Sequence, residues 1–245
     1  MTEWSVELLG DRRILELLTT IFDSPSCVIA FDEDRQRYLL TLASFHGALG
    51  AEEVRSAAQI EIARLSGTLA LEGQAMNEPL RIGAVHCIDE QGRSQTFVTC
   101  SVSVRLSASA QVVVLDADGN LVVEPEMGRR LVRLRSLLQA DEKVTKVSRL
   151  IQKPDFKTWP GLYRVFEVIF SDLGGSRGMQ DLASASSISR FKRSANHPAV
   201  AGDAARHGHS EEEPPPRPMM LSEAENWLRG LVSQWLELKL SQIES

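Results

Sequence analysis

The sequence predicts an α+β fold: a mostly antiparallel sheet with helices on one face, followed by an all-α bundle. Three observations carry this. Strand-like runs with apolar alternation fill the first half, a long stretch of three-to-four-residue periodicity interrupts them, and strand signals stop after Glu126. The chain has 245 residues, enough for two modest domains, and the change of pattern divides it into an α+β domain over 1–125 and a helical domain over 126–245.

The elements follow in order. "DRRILELLTTIF" places Ile14, Leu17, Leu18 and Ile21 at helical spacing behind a capping Asp11. "CVIAF" and "YLLTLASF" flank the polar segment "DEDRQR" and read as a hairpin with an exposed loop. From Ala51 to Leu71, Val54, Ala58, Ile62, Leu65 and Leu69 form one apolar stripe, which makes a helix. "LRIGAVHCIDEQGRSQTFVTCSVSVRL" reads as two strands around Asp89–Gly92, the second alternating Val98, Cys100, Val102, Val104 and Leu106 inward. "QVVVLDADGNLVV" adds a hairpin turning at Asp118-Gly119.

In the second half, "RRLVRLRSLLQ", "KVTKVSRLI" and "WPGLYRVFEVIF" are three successive amphipathic helices. "SDLGGSRGMQDLASASS" reads as a loop, and a short helix from Ile188 to Ala195 is expected to end at Pro198. An exposed loop over 196–221 includes "SEEEPPPRP", a semi-rigid polyproline link. Ser222 and Glu225 spell a capping box before a last helix whose stripe is Ala224, Leu228, Leu231, Trp235 and Leu238.

Composition narrows the function. No apolar run approaches the roughly 20 residues that span a bilayer, and the first residues lack the pattern of a secretory signal. A cytoplasmic protein is expected, with no membrane partner. Cys27, Cys87 and Cys100 sit singly in apolar runs and read as reduced core residues; His86 beside Cys87 is too small a set for a metal site, and neither a metal nor a cofactor is expected. Phosphate-loop, dinucleotide, zinc-protease and serine-hydrolase motifs are missing from the sequence.

The formal net charge of −6 conceals an asymmetry. Between Arg129 and Arg206 there are 15 Lys and Arg against 7 Asp and Glu, so this stretch carries +8 inside an acidic protein. Such a region is a candidate surface for phosphate.

"SRFKRSANHP" places Arg190, Arg193, Asn196 and His197 together, with six residues between Arg190 and His197. This pairing on a helix of a bundle resembles the HEPN family of small helical domains, many of them metal-independent ribonucleases. The spacing is at the outer limit of the family's, and Phe191 stands where the family usually has a polar residue. The resemblance implies Arg190 and His197 as catalytic residues: His197 to take a ribose 2′-OH proton, Arg190 to hold the scissile phosphate. Two turns of helix would put both on one face, roughly 10 Å apart along the axis.

Arg193 and Asn196, with Arg206 and His207 from the glycine-bounded "GDAARHG", are the expected ligand-binding residues. The tail also resembles the C-termini of uncharacterised bacterial proteins, a likeness that carries no function. The leading expectation is a helical domain that binds RNA or another phosphate ligand, with ribonuclease activity. The alternative is a non-catalytic assembly protein forming a homodimer, through its apolar last helix, or a complex.

Overall fold

The computed structural model describes residues 2–98, 124–205, 213 and 215–243. The chain forms two compact units, Met1–Arg135 and Ser136–Ser245. The division falls ten residues after the expected boundary at 125, inside a helix that begins at Pro125.

The first unit is a six-stranded antiparallel sheet in the order β2-β3-β4-β1-β5-β6. The strands are β1 (Glu3–Leu9), β2 (Asp23–Ser24), β3 (Cys27–Asp32), β4 (Arg37–Leu42), β5 (Arg81–Ile88) and β6 (Ser94–Phe97). Strand β1 lies between β4 and β5, where no strand is expected from the hairpin and helix signals. Its signal is present: Trp4, Val6 and Leu8 alternate with Ser5 and Glu7, and the first set is buried. Helix α1 (Arg12–Ile21) starts at the expected cap, where Asp11 Oδ1 accepts from the Arg13 N–H at 3.0 Å. Helix α2 (Ala51–Leu71) carries the expected stripe, with Val54, Ala58, Leu65 and Leu69 fully buried.

These helices and the inward residues of β1, β3, β4 and β5 make one core. At its edge, the buried Glu61 carboxylate of α2 takes ion pairs from Arg64 and from Arg135 of α3 (Pro125–Ala140). Beyond β6 the alternation from Thr99 to Leu106, with Cys100, and the hairpin at Asp118-Gly119 lie outside the described residues. Val98, expected to begin an inward set, is 73% exposed.

The second unit is helical. Helices α4 (Glu142–Ile151) and α5 (Trp159–Asp172) fall where the periodicity places them. The glycine-rich segment expected to be a loop contains one helical turn, α6 (Ser176–Met179), anchored by the fully buried Met179. Helix α7 covers Ala185–Asn196. Pro198 does not simply end it; lacking an N–H, it occupies the first position of a short α8 (Pro198–Ala201).

The last helix, α9, runs Leu221–Ile243. It starts before the expected capping box, so Ser222 lies within it and the Glu225 carboxylate accepts from Arg229 Nη2 at 2.8 Å. Its buried face includes Leu228, Leu231, Trp235, Leu236 and Leu240, whereas Leu238 is exposed. At the foot of this helix, Lys239 Nζ lies 2.8 Å from both Asp141 and Asp172, and Trp235 Nε1 donates to Asp172 at 2.9 Å. Among the described residues no helix is long and apolar enough to cross a membrane.

Gly161 is what allows α5 to start where it does. A Cβ there would stand 2.1 Å from the Asp155 carbonyl oxygen and 2.6 Å from that of Phe156. Both obstacles are backbone, which cannot rotate away. Gly161→Ala is therefore expected to destabilise the helical unit by about 3 kcal/mol, read as a lowered urea midpoint of Trp fluorescence. A change within experimental error would show that the 155–156 turn adjusts freely.

Candidate functional site

The apolar core lies on the sheet face that carries α1 and α2, and strand alternation sends polar residues to the other. Ser5 pairs with His86, Glu7 with Leu39, Asp32 with Arg37 and His86 with Thr96. A cleft of about 600 Å³ is lined by residues of this face, among them Ser5, Asp32, Arg37, Leu39, Thr41 and His86. Between Val6 and Leu8 the register with β5 shifts by a bulge. There Glu7 Oε2 accepts from the Ala84 N–H at 3.2 Å, and a Cβ on residue 83 would stand only 2.6 Å from that oxygen, so Gly83 makes room for the carboxylate.

A hydrogen-bonded chain crosses this face from β3 to β6. Arg37 Nε donates to Asp32 Oδ2 at 3.1 Å, Arg37 Nη1 lies 2.7 Å from His86 Nε2, and His86 Nδ1 lies 3.0 Å from Thr96 Oγ1. A guanidinium only donates, so His86 Nε2 accepts, its proton sits on Nδ1, and the Thr96 hydroxyl receives it. His86 is thereby fixed as a neutral imidazole with its lone pair engaged. Burial pushes its pKa below the ordinary value and the Arg37 charge pushes the same way, with Glu7 opposing. At Asp32 desolvation works against ionisation, but hydrogen bonds from Arg37 and the Arg35 N–H prevail and lower the carboxyl pKa. The result is a guanidinium gripped at Nε and Nη1, with no acceptor for Nη2 among the described residues.

These residues escaped sequence reasoning. His86 was weighed only as a neighbour of Cys87, yet alternation puts the two on opposite faces of β5. Asp32 and Arg37 were assigned to the polar loop, although they are its first and last residues and form the hairpin's closing pair.

The residues expected to be catalytic make hydrogen bonds within the helical unit. Arg190 on α7 donates from Nη1 and Nη2 to the Glu223 carboxylate, the latter at 2.8 Å, and from Nε and Nη2 to the carbonyls of Arg217 and Pro218. Arg193 Nη2 donates to the Glu213 carbonyl at 3.0 Å, and Ser194 Oγ accepts from the Met219 N–H at 2.9 Å. Helix α7 is thus the rail along which the proline-rich strap lies, with Pro215 and Met219 buried as its anchors.

His197 closes α7 in an extended conformation, φ −93° and ψ 123°. Its N–H donates to the Arg193 carbonyl, so it ends the helix that carries Arg190. Its Nδ1 accepts from the Ala199 N–H at 3.1 Å, capping α8. Asn196 Oδ1 is buried without a hydrogen-bond partner. Arg206 and His207 lie outside the described residues.

The basic excess has a clearer address on α4. Lys143, Lys146 and Arg149 are exposed and fall within about 120° of helical arc, opposite the buried Val144 and Val147, and exposed Lys153 follows in the next turn. None of the four forms an ion pair among the described residues.

Compared with protein-family models, with curated proteins and with solved structures, the chain matches none. Its function is read from these residues alone.

Two outcomes follow. The depressed His86 pKa means that the folded state binds fewer protons there than the unfolded chain, so its share of stability is present above the ordinary imidazole value and is lost as pH falls below it. Imidazole NMR is expected to show His86 as the Nδ1–H tautomer, titrating below an exposed histidine; a normal titration would dissolve the inferred chain. In the helical unit, Arg190→Ala is expected to cost about 1–2 kcal/mol, discounted for partial exposure, and to speed cleavage of the 215–220 segment by a protease of broad specificity. An unaltered urea midpoint and digestion rate would show that Arg190 does not hold the strap.

Proposed function

We propose that the helical unit binds RNA through the outer face of α4, without using Arg190 and His197 as a catalytic pair. The observation that carries this reading is the stripe Lys143, Lys146, Arg149 and Lys153, exposed and free of ion pairs among the described residues. Cations left unpaired on one face repel one another, and a phosphate backbone relieves that repulsion while releasing its own counterions. Binding rather than cleavage is favoured because Arg190 is committed to Glu223 and the strap, and His197 Nδ1 to a helix cap. The homodimer reading draws less support, since Trp235, Leu236 and Leu240 of α9 are buried within the unit.

The test is fluorescence anisotropy with a single-stranded RNA of mixed sequence at low and moderate salt. Binding is expected to weaken steeply with salt, and the triple variant Lys143→Glu, Lys146→Glu, Arg149→Glu to lose it. Removing three contacts should flatten the logarithmic salt slope by about 2, and the RNA should be recovered intact. Undiminished affinity in the triple variant would refute the α4 surface; RNA cleavage abolished by His197→Ala would restore the catalytic reading.

A further inference from the structure

The α+β unit carries a second site, independent of α4. We propose that the cleft on the open face of the sheet binds a small organic carboxylate, whose charged end meets Arg37 and whose apolar body lies along the strands.

One donor group in this cleft has no acceptor among the described residues. The Arg37 side chain is only 14% exposed, and its Nε and Nη1 are taken by Asp32 and His86, but Nη2 is not matched by any described residue. A guanidinium N–H held in place by its neighbours but given no protein acceptor is best met by an acceptor brought from outside. A cation or a pure donor cannot serve. Both imidazole nitrogens of His86 are engaged, so His86 has no acceptor to offer a ligand either.

Orientation narrows the class further. Asp32 and His86 hold the guanidinium from two sides, so its remaining N–H groups are aimed before a ligand arrives, and little side-chain entropy is left to lose. Charge-assisted hydrogen bonds from such a group favour a planar carboxylate over a neutral carbonyl. Ser5 and Thr41 add hydroxyls nearby, while Leu39, Phe45 and Ile88 supply apolar lining. A volume of about 600 Å³ lies within the range of small-molecule sites and is far too small for a folded partner. The ligand that fits is therefore a monocarboxylate with an aromatic or aliphatic body.

The experiment is calorimetric titration of the full chain with phenylacetate and octanoate, alongside phenylacetamide and phenethylamine as neutral and cationic counterparts. The carboxylates are expected to bind and to raise the melting temperature, the amide to bind at least tenfold more weakly, and the amine not at all. Arg37→Gln should lower carboxylate affinity at least tenfold. Because that variant also disturbs the hydrogen-bonded chain, Leu39→Trp serves as a second: it fills the cleft, leaves Arg37 with its partners, and should abolish binding without lowering the melting temperature. The α4 triple variant should bind phenylacetate as the parent does, which separates this site from the RNA surface. Failure of both carboxylates to bind at millimolar concentration, equal binding of amide and carboxylate, or retained affinity in a folded Leu39→Trp chain would each overturn the proposal.

Discussion

From Trp4 to Leu8 the central strand points alternate side chains to opposite sides of the sheet, and among the described residues helices α1 and α2 pack on one of those sides. The rest of the amino-terminal unit depends on that asymmetry. Because Val6 and Leu8 must face α1 and α2, Ser5 and Glu7 must face away, and the register carries the same division to Arg37, His86 and Thr96. A one-residue slip would bury Glu7 and expose Leu8. The apolar core and the polar chain on the outer face are therefore two results of one register.

The outer chain illustrates how donors and acceptors fix chemistry. Arginine cannot accept a hydrogen bond, so the contact with Arg37 decides the tautomer of His86 and keeps the ring neutral. Burial favours the same state, which removes any conflict between geometry and proton affinity. His86 Nε2 consequently accepts from Arg37 and helps fix the guanidinium in place. Asp32 completes the grip from β3, so three strands hold one guanidinium.

The helical unit spends its polar residues differently. Arg190, Arg193 and Ser194 bond mainly to the backbone of the strap, satisfying carbonyl and N–H groups that a proline-rich segment cannot pair within itself. Phe191, between Arg190 and Lys192, turns inward and packs against Trp159, Tyr163, Phe166 and Trp227. The same helix thus joins an aromatic core on one side to a backbone clamp on the other. On helix α4, Lys143, Lys146 and Arg149 are exposed and form no ion pair among the described residues.

The α+β class, helices α1, α2, α4 and α5, and the hairpins at Asp32–Arg37 and Ile88–Ser94 were legible in the sequence, because each follows from a short-range rule: period, cap or turn. The capping box at Ser222 misled, since α9 begins at Leu221, two residues before the position that motif implies. Strand β1 was legible too, in five alternating residues, but its place at the centre of the sheet was not, because pairing with β4 and β5 joins segments more than thirty residues apart. The same limit governs the sites. Sequence could count the cations between Arg129 and Arg206, but only the fold separates those that clamp the strap from those that stay unpaired on α4. Likewise, nothing in the order of residues brings Arg37 to His86: their contact requires β1 to lie between β4 and β5, and long-range pairing of that kind is decided by burial across the whole sheet rather than by any local pattern.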